Sequence, residues 1–343
     1  MFEIINPLTY VNYDEMLLST PGASFFHTSA WARVLVESYG YKPRYFAARA
    51  GDCFSALVPL MEIESFLTGK RGVSLPFSDY CDPILLNDDA LLSFVNQAIG
   101  LGKRQGWKYL ELRPSKALPS GILGSHVFLR HTVDIAKDEN QLLSSFRGNT
   151  RTAIRKATKS GVTIAFGGNA AFMDDYYRLH SITRKKHGLP PQPLSFFRKL
   201  LEHVIESGNG QIGLAFHGQN VIAGAVFCNF GRQVVYKYCA SDKNFEYTSS
   251  NNLVLWEAIR LYAATGYDSL CLGRTDIENK GLILFKRGWA AQESTIAYCK
   301  YDMKQNSYIK DKSMLSGYHN KIFSNMPIPL LNLTGSLLYR HTG

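Results

Sequence analysis

Two stretches of this chain, one beginning near Arg44 and the other near Gln211, carry the same succession of local patterns, and this repetition constrains the fold more than any single motif. The first reads as a strand over Tyr45 to Arg49, a turn at Gly51-Asp52, a long strand from Phe54 to Glu62 and another strand after Glu64. The second reads as a strand over Ile212 to Phe216, a turn at His217-Gly218, a strand over Val221 to Asn229, a turn at Gly231 and a strand over Val234 to Ala240. Each meander passes through a polar loop, Ser78 to Asp82 or Ser241 to Asn244, into an amphipathic helix, Ala90 to Arg104 or Ser249 to Ala264. Both helices stop at a glycine followed by an aromatic, Gly106-Trp107 and Gly266-Tyr267, as a left-handed C-cap favours. A short strand follows each time, Tyr109 to Leu112 and Ser269 to Leu272, ending against Arg113 or Arg274.

Further helices are expected before each meander, over Ser29 to Ser38 in one copy and over Phe172 to Lys186 and Phe196 to Glu206 in the other. A length of 343 residues suits two domains of about 150 residues each. The expected fold class is therefore α/β (α+β): two tandem acetyltransferase-like domains, each a mixed, largely antiparallel sheet flanked by helices. The boundaries expected are 1–136 and 137–305, with a basic and apolar tail over 306–343.

Composition narrows the function. Hydrophobic residues at 45% and aromatics at 13% supply packed cores and exclude disorder over most of the length. The six cysteines are scattered, with no CxxC pair and no cysteine–histidine cluster at zinc spacing, so neither a structural metal nor a disulfide framework is expected. The opening MFEIINPLTY has no leader character, and the longest apolar run, Val221 to Phe227, is too short to span a bilayer; a cytoplasmic, reduced protein is expected. A net charge of +10 points to an anionic partner, whether nucleic acid, nucleotide-linked substrate or membrane surface. With no HExxH, GxSxG, Walker loop or dinucleotide fingerprint, hydrolase, kinase and dehydrogenase readings fall away.

Three segments are candidates for chemistry. Asp138 is placed to cap one helix running to Gly161, on which Arg147, Arg151, Arg155 and Lys159 recur every four residues and stack as a basic ridge, rising about 6 Å per step. Leu142, Leu143, Phe146 and Ile154 would pack inward while the ridge, with Arg184 nearby, meets phosphates or simply faces solvent. The loop Ser241 to Ser250 opens a helix at Asn251 and Asn252 whose free amides suit phosphate or carboxylate, or are merely capped by their own side chains. That loop lacks the closely spaced glycines of acetyl-coenzyme A enzymes. Third, Gly273-Arg274-Thr275-Asp276 closes a strand and is followed by Phe285-Lys286-Arg287-Gly288-Trp289. A lysine fixed there stabilises an acyl-transfer oxyanion, or is an ordinary surface cation paired with Asp276.

Taken in order, Phe25 to Trp31, Arg147 to Gly161, Tyr236 to Ser241 with Tyr238 at its centre, Asn251-Asn252-Leu253 with Trp256-Glu257-Ala258, and Gly273-Arg274 through Phe285 to Trp289 resemble the Fem aminoacyltransferase family over roughly Phe25 to Tyr301. The nearest branch is the FemAB-like group associated with exopolysaccharide and exosortase loci. The resemblance implies transfer of an amino acid from aminoacyl-tRNA to an amine of a peptidoglycan precursor, with Phe285-Lys286 matching the family's phenylalanine–lysine pair beside the transferred ester. The candidate catalytic set is Lys286, Phe285 and Arg274, and Arg147, Arg151, Arg155, Arg184, Tyr238, Asn251, Asn252, Asp276 and Trp31 are the substrate-binding candidates. The long coiled-coil insertion of some tRNA-using members is absent, because the helices before Gln211 are short.

The leading expectation is an acyltransferase acting on a nucleotide- or lipid-linked envelope precursor, with aminoacyl-tRNA as donor and no certain cofactor. An acyl-coenzyme A-dependent N-acyltransferase and a non-catalytic binder of nucleic acid or anionic polysaccharide are the alternatives. The tail, in which apolar residues alternate with cations, rests on the inner membrane surface or packs back onto the domains.

Overall fold

The computed structural model describes residues 2–85, 88–115, 122–310 and 318–343. It divides into two units, Met1–Arg130 with Ser294–Ser313 and Leu338–Gly343, and His131–Glu293 with Met314–Leu337. The break falls a few residues before the expected boundary at 136. The chain returns to the first unit at Ser294, because the strand Gln292–Asp302 pairs antiparallel with Tyr109–Leu112.

In the second unit the meander forms as the sequence patterning predicts: Gly210–His217, Asn220–Phe230 and Gln233–Ser241 pair antiparallel, with Val162–Gly167 added at the edge. The helix Ser250–Ala264 then crosses to Ser269–Asp276, which pairs in parallel with Gln233–Ser241. The first unit has the same order at its centre: Arg71–Ser74, the helix Asp88–Gln105, and Tyr109–Leu112 parallel to Arg71–Ser74. Both crossover helices end alike. Gly106 and Gly266 are left-handed (φ 71° and 87°), and the amides of Trp107 and Tyr267 reach back five residues to the carbonyls of Gly102 and Tyr262, at 2.8 and 3.0 Å. Only glycine takes that φ without strain, which is why the punctuation recurs.

The first copy departs from the second at Pro59. The strand expected over Phe54 to Glu62 is two strands, Cys53–Val58 and Met61–Ile63, that join different sheets. Proline has no N–H to give the ladder, so the chain changes partners there. Cys53–Val58 completes a three-stranded sheet with Glu3–Ile5 and Tyr45–Ala50, while Met61–Ile63 pairs with Arg71–Ser74.

A second departure concerns the basic ridge. The single helix expected from Asp138 to Gly161 is two helices, Glu139–Ser145 and Gly148–Lys159, because Phe146 and Arg147 are extended (ψ 150° and 151°). Asp138 does cap the first helix, accepting from the Gln141 amide at 2.9 Å. The break carries Phe146 into the core against Trp256 and Trp289, with ring centroids 5.6 and 5.1 Å away, and the Arg147 amide donates to the Gly288 carbonyl at 2.9 Å. Arg147 therefore precedes the ridge, which is Arg151, Arg155 and Lys159 on the second helix.

The tail is not a separate segment. Part of it lies outside the described residues; the helices Tyr318–Asn325 and Ile328–Leu338 follow, with Leu331 fully buried in the second unit. Gly335 sits so close to Pro191 that an added Cβ would lie 2.0 Å from its carbonyl oxygen. Farther on, Arg71 of the first unit donates to the carbonyls of Gly343 and His341 at 2.9 and 2.8 Å.

Phe146→Ala is expected to destabilise the second unit by about 3–5 kcal/mol, since it empties the space between two tryptophans. Urea unfolding followed by tryptophan fluorescence measures this, because Trp256 and Trp289 flank the site.

Candidate active site at the parting of two strands

The parallel pair at the centre of the second unit does not stay paired. Its register holds for Gln233 with Ser269, Val234 with Leu270 and Val235 with Cys271, after which the strands run on to Ser241 and Asp276. Parting parallel strands leave backbone groups facing each other without a ladder, and such groups need other partners. Lys286 supplies one. Its ammonium donates to the Gly273 carbonyl at 2.9 Å and to the Arg274 carbonyl at 3.2 Å, and the side chain is 4% exposed. Gly273 is left-handed (φ 71°), a conformation that turns its peptide out of the strand's ordinary pleat.

The lysine is delivered by the helix Lys280–Arg287. Asp276 begins the turn into it, its carboxylate accepting from the Glu278 amide at 2.9 Å, and Asn279 caps it by accepting from Leu282 at 3.1 Å. Leu282, Phe285 and Lys286 are spaced three and four apart, so all three reach one face. That face, the two strands and the start of the helix Ser250–Ala264 enclose a cavity of about 350 Å³.

The strand Gln233–Ser241 turns three side chains into this cavity through a bulge. Val226 pairs with Tyr238 and Phe227 with Tyr236, so Lys237 is an extra residue. The inserted residue resets the alternation, and Tyr236, Cys239 and Ser241 all line the cavity. Tyr238 goes to the other side, against Phe197 and His180 at 5.5 and 6.4 Å between centroids. Cys239 is open to the cavity, yet the surrounding protein pushes its thiol above the usual range. At the mouth, Ser249 is left-handed (φ 59°), taking the role a glycine fills in a looser loop, and its side chain makes no capping bond to the helix amides. Asn251 and Asn252 follow, and Asn251 Nδ2 donates to Ser241 Oγ at 3.1 Å.

Residues 144–281 match the acetyltransferase (GNAT) domain family. The chain is 23% identical over 163 residues to a UDP-N-acetylmuramoylpentapeptide-lysine N(6)-alanyltransferase of Weissella viridescens. That alignment takes in 46% of this chain and about half (48%) of the relative's length. Among solved structures, FemX superposes with a TM-score of 0.67 at 15% identity, over 89% of this chain and 98% of FemX. The chain is similar to FemAB-like proteins, and its matched segment carries the pattern of a GNAT domain. A tandem GNAT protein of the clavulanic acid biosynthesis pathway also superposes, with a TM-score of 0.54 at 10% identity, over 88% of this chain and 98% of that one. Two acetyltransferase-like units in tandem are thus the fold of this chain.

Of the residues singled out in the sequence, the cavity brings together Phe285, Lys286, Asn251 and Asn252. Arg274 joins through its carbonyl, while its side chain is exposed. Asp276 shapes the turn before the lysine helix. Arg184 donates to the Pro190 carbonyl at 3.2 Å and so secures the loop after its own helix. Arg151 donates to the Ser144 carbonyl at 3.1 Å, which ties the two ridge helices together, and Arg155 is exposed. Tyr238 does not line the cavity, for the reason the bulge gives. Trp31 is fully buried in the first unit, packed against Phe25 and Phe26.

Sequence reasoning missed a neighbouring cluster. His131, with its side chain fully buried, has Nε2 3.1 Å from Glu293 Oε2, and Glu293 also accepts from Arg287 Nε and Nη2 at 2.8 and 2.9 Å. Burial, reinforced by the Lys286 charge, lowers the His131 pKa, and Arg287 holds Glu293 below the usual carboxylate range. Only one member, Arg287, lies in the motif; the others are 162 residues apart in sequence, so spacing carries no signal.

Behind Tyr238, burial drives the His180 pKa from 6.5 down to about 3, with Arg184 adding to the shift. The folded protein therefore keeps this ring neutral while the unfolded chain protonates it. The stability is fully present above pH 6.5 and is lost as pH falls toward 3. His180→Phe is expected to flatten that decline by on the order of 2–4 kcal/mol, read from urea unfolding at pH 7 and pH 4.

Proposed function

We propose that this chain transfers an aminoacyl group from aminoacyl-tRNA to an amine of a cell-envelope precursor, peptidoglycan or polysaccharide, as its resemblance to the exopolysaccharide-associated branch suggests. The observation that carries the proposal is Lys286: a buried ammonium on the wall of a 350 Å³ cavity, fixed by two carbonyls at the parting of two strands. The likeness to an enzyme named for alanyl transfer to a peptidoglycan lysine supports the same reading.

In this reading the acceptor amine attacks the ester carbonyl of the donor. A carbon–nitrogen bond forms, the bond from the carbonyl carbon to the ribose oxygen breaks, and the proton shed by the amine leaves with that oxygen. Negative charge develops on the carbonyl oxygen, and a fixed ammonium in a poorly hydrated cavity stabilises it more than water does. Phe285 supplies an apolar wall beside the acyl group. The start of the helix Ser250–Ala264 offers amides to an anionic part of the donor. Arg155 and Lys159, exposed on the ridge, meet tRNA phosphates.

Lys286→Ala is expected to lower kcat by about a hundred- to a thousandfold. Part of that loss would accompany a destabilisation of about 1–3 kcal/mol from the orphaned carbonyls, so transfer is measured at a temperature where urea unfolding shows the variant folded. A binder without chemistry would keep its affinity and show no turnover to lose. Mass spectrometry of envelope precursors from cells with and without the gene tests the acceptor class, and an unchanged precursor pool would sink the proposal.

A second reading, acyl transfer from coenzyme A, is favoured by the GNAT-domain match and by the helix start opening onto the same cavity. Saturable thermal stabilisation by acetyl-coenzyme A, but not by aminoacyl-tRNA, would select it.

A further inference from the structure

The strand Gln233–Ser241 ends beside the helix Ala170–Lys186, and one hydroxyl ties the two together. Thr183 Oγ1 donates to the Ser241 carbonyl at 3.2 Å and accepts from the Ser241 amide at 3.0 Å. The last turn of that helix carries Lys185 and Lys186, and the segment after the strand carries Asp242, Lys243 and Asn244. All five line a cavity of about 470 Å³ in the second unit. A volume of that size is ordinary for a small-molecule site.

The charges around this cavity do not cancel. Lys186 is paired with Glu246, and the carboxylate of Asp242, the acid among the lining residues, accepts from the Asn244 amide at 2.9 Å. Lys185 and Lys243 have no side-chain hydrogen-bond or ion-pair partner among the described residues. Lysines on an open helix face spread into solvent. Here two elements, held by Thr183, bring like charges to one concavity, and they repel until an anion enters. The segment from Ser241 to Glu246 also contributes to the cavity that Lys286 faces, through Ser241 and Glu246 themselves. The Lys186–Glu246 pair thus joins a residue of one cavity to a residue of the other.

We propose that the lysine-lined cavity is a phosphate subsite, in which Lys185 and Lys243 hold a phosphate or diphosphate of a substrate whose reacting end occupies the cavity of Lys286. A carboxylate carries one charge and satisfies one ammonium, whereas a phosphate ester or diphosphate carries enough charge and enough acceptor oxygens for both. Lysine suits this task as a point charge that follows a phosphate without demanding a planar partner. Asn244 offers a neutral donor on the same wall. The inference rests on the transferase reading for the identity of the substrate, and on the cavity alone for the binding of the anion. The phosphate comes either from the end of an aminoacylated RNA or from a nucleotide-linked acceptor.

The test is calorimetric titration of the full chain with inorganic pyrophosphate. Saturable binding at one site is expected, weakening as salt is raised. Lys185→Gln/Lys243→Gln is expected to weaken it by about a hundredfold and each single variant by about tenfold, and the singles serve if the double variant does not fold. Lys103→Gln/Lys304→Gln removes the same charge from exposed positions of the first unit and is expected to bind as the wild type does. Uridine diphosphate and an RNA oligonucleotide ending in CCA are then titrated as competitors. Displacement by the first assigns the phosphate to the acceptor, and displacement by the second assigns it to the donor. The proposal is overturned if pyrophosphate does not bind, or if the Lys185 and Lys243 variants bind it as the wild type does. It is equally overturned if the control variant weakens binding as much, or if neither competitor displaces pyrophosphate, which would mark an adventitious ion only. Transfer is not needed for the titration, so absence of turnover would sink the transferase reading and leave the anion site to be decided by these measurements.

Discussion

The parting of Gln233–Ser241 from Ser269–Asp276 is the event on which the cavity of the second unit depends. Three residue pairs hold the two strands together, and then each goes its own way. A gap between parallel strands in the middle of a sheet exposes peptide groups that have lost their ladder, and it does not persist unless they are satisfied. The Lys286 ammonium spans to two of those carbonyls. One side chain thus does two things: it keeps the gap open, and it leaves a fixed positive charge on the wall of the space it opens. A cation whose position is set by backbone groups is organised in advance, which is what the proposed transfer asks of it.

Everything around the gap serves to bring that lysine in. Asp276 and Asn279 turn and cap the chain so that the helix Lys280–Arg287 starts at the open end of the strands. Its far end is anchored by Trp289, fully buried against Phe146, and by the Arg147 amide on the Gly288 carbonyl. The break in the ridge region is thus part of the same arrangement: a continuous helix would carry Phe146 and Arg147 past these partners. Arg287, one residue beyond Lys286, is drawn into the pair with Glu293, which in turn meets His131. Neighbouring residues of one helix therefore serve two separate sets of partners.

How much of this was legible in the sequence follows from which interactions are local. The left-handed glycines after both crossover helices and the meander of the second copy are written in consecutive residues, and the structure has both; the Phe285-Lys286 pair is as local, and the structure places both residues on the wall of one cavity. Pro59 is equally visible in the sequence, inside the apolar run that reads as one strand over Phe54 to Glu62, and its missing N–H decides ladder membership more firmly than that run does. The four-residue recurrence of cations from Arg147 to Lys159 suggested one helix, because periodicity says nothing about a buried aromatic that needs the backbone to bend. Trp31 and Tyr238 illustrate another limit. Both lie in motifs that carry the family resemblance, and both support the fold: the first inside an aromatic core, the second on the far side of a strand whose phase was reset by one extra residue.

That extra residue explains why sequence patterns place side chains poorly at such sites. Strict alternation would put Tyr236 and Tyr238 on one face and leave Cys239 and Ser241 on the other. With Lys237 inserted, Tyr236 shares a face with Cys239 and Ser241, and the cavity gains an aromatic wall from one strand and a polar rim from the same strand. A bulge beside a gap is also mechanically sensible, since the added twist turns the strand away from its parallel neighbour. The bulge lies just past the last registered pair, Val235 with Cys271. Deleting it would restore both the alternation and the tendency to pair, closing the space that Lys286 faces. The insertion of one residue and the burial of one lysine are therefore complementary halves of a single device, the first parting the strands and the second making the parted state stable.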